Sequence, residues 1–267
     1  KMASGVEDTR ALFEGDISRF IHKEIYSHLS KEETGALHAL AVLRYPVDGL
    51  YVAKRFGYEV VSSLGRKSLI ERVGVRVTVH DIIRAFLKVY MNSEELRSAH
   101  IAARETLPFP GPHVIERAYH SMRAGDVDAT LRELVSSGDQ LIGSGNSEGV
   151  LRVLDDIDPK RSPADIDCAV RILRMKCLYR AGRFGSVVET YDEGGRALSS
   201  SKEATLIASD ACIELGRGKE AQTMFARLRR SRLTPELTVR LNQGITRIAN
   251  MLGKYDLARR HTLRAMR

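Results

Sequence analysis

Apolar positions along this chain follow two rhythms, and the change from one to the other occurs at a single place. Val75, Val77 and Val79 alternate with Arg76, Thr78 and His80, the period-two pattern of a half-buried strand. From Asp81 onward Ile82, Ile83, Phe86, Leu87 and Tyr90 follow helical spacing instead, so a strand is predicted to turn directly into a helix at His80-Asp81. Asp81 reads as the N-cap or a first-turn acid, where free backbone N–H groups favour a carboxylate.

Upstream, Leu12, Phe13, Ile17, Phe20, Ile21, Ile25 and Leu29 recur at three- and four-residue steps and predict an amphipathic helix from Arg10 to His28. Ser30 with Glu33 makes a capping-box pattern before Leu37, Leu40, Ala41 and Leu43, and that helix stops ahead of Pro46. A third helix fits Val47 to Phe56, closed by Gly57, and a fourth fits Val60 to Glu71, ended by Gly74. Three compact helices followed by a strand and turn give the order of a winged helix, with Val75 to Val79 as the wing. Beyond Tyr90, Asn92 or Ser93 caps a further helix reaching Leu107, and Pro108, Pro110, Gly111 and Pro112 form the densest cluster of helix breakers. The expected division is a polar edge segment over 1–9, disordered or excised and excluded from the fold, a winged-helix domain with flanking helices over 10–107, and a helical-repeat domain over 108–267.

The second half reads as helix after helix, punctuated by glycine turns at Gly125, Gly145, Gly182, Gly216 and Gly253. Their spacings are 20, 37, 34 and 37 residues, and the last three match helical-hairpin repeats of the tetratricopeptide kind. Val187, Ala221 and Ala258 lie five residues after their glycines, where small side chains allow close helix approach, while Phe184, Tyr191, Phe225 and Tyr255 supply bulk. Such units stack because none can bury its apolar face alone, and a concave binding surface is the usual product. The expected fold class is therefore mainly α: a winged helix with a small β wing, then a tetratricopeptide-like α-solenoid.

Composition adds limits. Hydrophobic residues at 43% and charged residues at 28% are near globular values, which argues against a disordered or fibrous chain. No apolar run is long enough to span a bilayer and no signal-peptide core is present, so a cytoplasmic protein without membrane partners is expected. The three cysteines, Cys168, Cys177 and Cys212, lack metal-site spacing and are expected to be reduced and buried.

The net charge of +8 is uneven: residues 217–267 hold 13 Lys and Arg against 3 Asp and Glu. That basic end, through Arg227, Arg229, Arg230, Arg232, Arg240, Arg247, Arg259, Arg260, Arg264 and Arg267, suits an acidic protein partner or nucleic acid. In a DNA-reading winged helix, Arg66, Lys67, Arg72 and Arg76 would contact phosphates from the last helix and the wing.

No Ser/His/Asp order, carboxylate pair or metal spacing stands out, so no catalytic residue, no metal and no cofactor of its own is assigned. His22, His28, His38, His100, His113 and His261 are dispersed and read as surface or packing residues. His120 with Asp126, across a turn, reads as local hydrogen bonding.

Several strings together carry a family likeness. They are Leu29-Ser30-Lys31-Glu32-Glu33, Leu37-His38-Ala39-Leu40-Ala41-Val42-Leu43-Arg44-Tyr45-Pro46-Val47, Leu64-Gly65-Arg66-Lys67-Ser68-Leu69-Ile70 and Val79-His80-Asp81, followed by repeats containing Ala118-Tyr119-His120-Ser121-Met122-Arg123-Ala124-Gly125-Asp126. The combination resembles the C-terminal portion of the STAND signal-transduction ATPases, relatives of the NB-ARC and maltose-regulator proteins. The resemblance implies a winged helix coupling nucleotide state to a helical sensor arm. It also implies that His80, with Val79 in place of the family's Met, senses the phosphate of bound ADP while Asp81 fixes the junction. An imidazole suits that role because it can donate to a phosphate and changes charge near neutrality. The glycine-rich phosphate loop of the family's motor is missing: Gly65-Arg66-Lys67-Ser68 has no glycine at the required earlier position. The chain is thus expected to be non-catalytic, a fragment or motorless relative. ATP or ADP would belong to a full-length parent whose ATPase domain acts in cis, and a protein or peptide partner would sit on the repeats. The alternative is a DNA-binding transcriptional regulator with a partner-binding repeat domain.

Overall fold

The computed structural model describes residues 19–109, 111–158 and 161–266. It is mainly helical with one small three-stranded sheet. Contacts divide the chain into two compact units, one ending at Glu133 and one beginning at Leu134.

The first unit begins with a π-helical turn, Ile21–Ile25, and a 3-10 turn, Tyr26–His28, in place of the continuous helix expected over 10–28; the expected helix up to residue 18 lies outside the described residues. Aromatic packing accounts for the break. The Tyr26 hydroxyl lies 2.8 Å from His38 Nε2, and its ring meets Phe86 and Tyr90. Helix α1 (Lys31–Val42) starts at the expected capping box, with Ser30 N–H 2.8 Å from Glu33 Oε2 and Glu33 N–H 3.2 Å from Ser30 Oγ. Two of the free N–H groups at the helix start are satisfied in this way.

Val47 does not open a helix. Val47–Asp48 form strand β1, pairing with Val77 and Arg76, and helix α2 (Gly49–Phe56) begins after Asp48, whose carboxylate accepts from Leu50 N–H at 2.8 Å. Helix α3 (Tyr58–Arg66) is shorter than expected. Ser68 takes the left-handed conformation that glycine usually fills at a helix end, with φ at 55°. Ser68 N–H then bonds Gly65 O and Leu69 N–H bonds Leu64 O. Leu69 and Ile70 thereby leave the helix and enter the core from strand β2 (Ile70–Val73). Strand β3 (Arg76–Val79) lies between β1 and β2 and is antiparallel to both. Val77 and Val79 are buried as the alternation predicts, but Val75 sits exposed at the hairpin tip. Helix α4 (Asp81–Tyr90) follows β3 directly, with His80 as its N-cap and Asp81 in its first turn.

Helix α5 (Ser93–Thr106) starts at a second capping box, Asn92 with Glu95. The proline cluster is not the edge of the compact unit. Helix α6 (Val114–Arg123) lies beyond it and still packs on α5, held by Glu116 and His120, and helix α7 (Val127–Ser136) carries the chain across the division.

The second unit continues with α8 (Gly138–Gly143), α9 (Ser147–Asp155), α10 (Asp167–Arg180), α11 (Phe184–Glu193), α12 (Gly195–Ser200), α13 (Lys202–Glu214), α14 (Gly218–Arg229), α15 (Pro235–Met251) and α16 (Tyr255–Ala265). The five spaced glycines share one turn. At Gly216, φ is 72°, its N–H bonds Ile213 O, and Arg217 N–H bonds Cys212 O. The same pair of bonds recurs at Gly125, Gly145, Gly182 and Gly253, a helix stop that satisfies two terminal carbonyls. Val187, Ala221 and Ala258 are buried as the spacing predicts, whereas Tyr255 is 71% exposed and adds no bulk to the core. Cys177 and Cys212 are buried reduced thiols and Cys168 is half-buried. Among the described residues, no helix is long and apolar enough to cross a membrane.

Candidate functional site

The His80-Asp81 junction is built by strand β3 running straight into α4. His80 N–H bonds Leu69 O at 3.2 Å, which extends the β2–β3 pairing by one step. The imidazole Nε2 lies 2.9 Å from Glu71 Oε1, and both side chains are about half exposed. The His80 side chain makes no cap bond, and Asp81 is exposed in the first turn of α4. Arg84, one turn into α4, ties the junction to α1 and β3. Its guanidinium donates to the carbonyls of Ala41 and Leu43 at the end of α1 and to the Thr78 hydroxyl on β3. Burial lowers its pKa from the ordinary arginine value, opposed by nearby Asp81. Sequence spacing places Arg84 on the helix without singling it out, because two of its three acceptors, the carbonyls of Ala41 and Leu43, lie 43 and 41 residues away in the chain.

The four basic residues of the α3–hairpin region are not gathered into one patch. Arg66 donates to Ser62 Oγ at 3.3 Å on its own helix. Lys67 is held by Glu33, its Nζ 2.8 Å from both carboxylate oxygens, and the Ser63 hydroxyl donates to the same carboxylate at 2.6 Å. Those bonds, Lys67's first, hold the Glu33 pKa down at about 2. Arg72 stands opposite Val77 and Arg76 opposite Val73, so strand alternation turns the two guanidiniums to opposite faces of the hairpin. The tip between them, Val73-Gly74-Val75, is apolar and exposed.

The C-terminal arginines also divide. Arg240 pairs with Asp210 at 3.2 Å and Arg247 with Glu214, so both tie α15 to α13. Glu203, Asp210 and Glu214 form an acidic row on α13, and Lys176 of α10 approaches Glu203 at 2.8 Å while the Tyr179 hydroxyl donates to Glu214. Arg227 donates to the Ser199 carbonyl at 3.1 Å. Buried His261 lies with its Nδ1 2.8 Å from Asn242 Oδ1, and its pKa is lowered by burial first and then by the charges of Arg264, Arg229 and Arg260. Arg230, Arg232 and Arg259 are exposed, and Arg267 lies outside the described residues.

A polar cluster in the first unit was not legible in the chain. His120 is fully buried and does not pair with Asp126. Its Nδ1 lies 2.8 Å from Nδ1 of His100, and its Nε2 is 3.3 Å from Glu116 Oε1. Glu116 also accepts from Arg44 N–H at 3.0 Å and from Arg44 Nε at 2.7 Å, while the Arg44 guanidinium stacks 4.1 Å from the Tyr119 ring. Asp126 instead accepts from Ala129 N–H and approaches Arg104. Burial pushes the Glu116 carboxyl up, but His120 and Arg44 prevail and hold it at about 2. Burial, with His120 and Arg123 nearby, lowers His100 to about 4. Both imidazoles are buried, which makes the arrangement one of packing.

Among the described residues, no three His, Cys, Asp or Glu side chains converge in a metal-binding group. Comparison of the chain with protein-family models, curated proteins and solved structures finds no match.

Proposed function

We propose that this chain is the non-catalytic regulatory and interaction segment of a STAND-type signalling ATPase, in which a winged helix couples nucleotide state to a helical-repeat sensor arm. The observation that carries the reading is the element order α1-β1-α2-α3-β2-β3 with sheet order β1-β3-β2, followed without a linker by His80 at the start of α4. That order fits a winged helix. The five equivalent glycine turns support a tetratricopeptide-like array after it. His80 is about half exposed at the junction and, among the described residues, pairs with half-exposed Glu71, which suits a group that would exchange a carboxylate partner for a phosphate. Asp81, exposed beside it, marks the helix start. The repeats would take the protein or peptide partner, and ATP or ADP would be bound by a motor domain in cis. ADP affinity measured on a longer protein carrying that motor tests the reading. His80→Ala should weaken ADP binding, and unchanged affinity removes the switch.

The exposed guanidiniums of Arg66, Arg72 and Arg76 favour a second reading, a DNA-binding regulator. Opposing it, Lys67 is engaged by Glu33, Arg72 and Arg76 face apart, and the hairpin tip is apolar where phosphate contact calls for charge. Anisotropy of labelled duplex DNA at low salt decides, and no binding there removes this reading.

A further inference from the structure

Two adjoining cavities in the first unit form an apolar groove that neither His80 nor the repeats use. One, about 480 Å³, is bounded by Leu50 and Ala53 of α2, Tyr58 and Val61 of α3, and Arg72 and Val75 of the hairpin. The other, about 820 Å³, shares Leu50 and Tyr58 and extends past Tyr51 and Lys54 to Leu107 and Phe109. We propose that this groove docks an acidic peptide segment of a partner protein, anchored by an apolar side chain.

The apolar half of the argument is exposure. Leu50 is 60% exposed, Tyr58 69% and Val75 75%, all on one groove, and clustered large apolar side chains left in water mark interaction surfaces. They are not needed for the core, which is complete beneath them in Val52, Val61, Leu64 and Val77.

Charge selects the occupant. The acids on the rim are already engaged: Asp48 accepts from Leu50 N–H, and Glu105 pairs with Arg55 at 2.7 Å. Lys54 and Arg72 are exposed on the two cavities, and no ion pair engages either of them among the described residues. Strand alternation sends Arg72, and not Arg76, to the groove side. Two uncompensated cations flanking an apolar trough match a peptide whose acids bracket one or two bulky apolar residues. A nucleic acid strand carries a phosphate at every nucleotide and needs a continuous row of cations, while Arg55 and Arg117 on this lining are already held by Glu105 and Glu133. A second copy of the chain would set Lys54 and Arg72 against themselves.

The inference goes beyond the proposed function and involves neither His80 nor the second unit, so either can fail alone. The test is selection from a random phage-displayed peptide library on the full chain, followed by anisotropy of the enriched peptide. Enriched peptides should carry Asp or Glu around Leu, Phe or Met. Affinity should fall about tenfold or more, the equivalent of about 1.4 kcal/mol, in Leu50→Ser/Tyr58→Ser and in Lys54→Glu/Arg72→Glu. It should weaken with added salt and be unchanged by Arg196→Glu/Lys219→Glu, exposed positions on the second unit. All four groove positions are exposed, and the charge-reversal pair reads the groove even where the serine pair alters folding. No enrichment, enrichment of neutral or basic peptides, or affinity retained in both groove variants overturns the proposal. Displacement of the peptide by a single-stranded oligonucleotide, or dimerisation through this face in sedimentation, overturns it equally.

Discussion

Arg44, just past the end of α1, and Glu116, on α6, are locked together across 72 residues of chain by two kinds of bond. The carboxylate takes the Arg44 guanidinium on Oε2 and the Arg44 backbone N–H on Oε1. Arg44 is partly exposed while Glu116 is buried, so the pair anchors the rim of the first unit with its negative end inside. Together with the His100–His120 contact and the Arg117 bonds to the Arg104 and Leu107 carbonyls, it joins α6 to the helices before it, across the proline cluster.

Removing the buried end leaves Arg44 without its acceptor and Glu116's space empty. Because Arg44 keeps access to water, Glu116→Ala should destabilise the first unit by about 1–3 kcal/mol, read as a lower urea midpoint. A variant within experimental error of the parent would mean that α6 is held by apolar packing alone.

Acid should loosen the same region through His100. Its folded pKa is lowered to about 4 from an ordinary 6.5, so the unfolded chain binds the extra proton between those values. Stability from this group is complete above about pH 6.5 and is lost as pH falls toward about 4. Glu116, held at about 2, stays ionised through that window and does not mask the effect. Urea midpoints measured from pH 7 to pH 4.5 should fall, and His100→Phe should flatten that limb. An equal slope in the variant would assign the acid sensitivity elsewhere.

In the second unit, Gly244 on α15 is set by a close approach. A Cβ there would lie 2.4 Å from Phe225 Cζ on α14, so Gly244→Ala should cost about 1–3 kcal/mol through overpacking. Gly185 on α11 has open space around its Cβ position, and Gly185→Ala should be neutral or stabilise by up to about 1 kcal/mol. Thermal unfolding of the two variants side by side separates packing from helix propensity.

His80→Ala should change the stability of this chain by less than about 1 kcal/mol, because His80 and Glu71 are both about half exposed and solvent screens their pairing. A loss of several kcal/mol in a thermal melt would make His80 a structural residue and weaken its proposed sensing role.

What the sequence determined by itself is local. Ser30 with Glu33, the five turn glycines, and the alternation Val77, Thr78, Val79 each depend on neighbours within a few residues, and each appears where its pattern placed it. At Ser68 the helix stop is written in a residue other than glycine, so apolar spacing alone carries the expected helix past it. Where a strand was two residues long, as at Val47–Asp48, only its partner Val77 could reveal it. Tertiary structure alone decided which charges meet. Lys67 finds Glu33, Arg84 finds the end of α1, His120 finds His100, and the C-terminal arginines divide between Asp210, Glu214 and solvent. A buried polar group must find a partner wherever the fold brings one, and sequence spacing carries no record of residues that are distant in the chain and close in space.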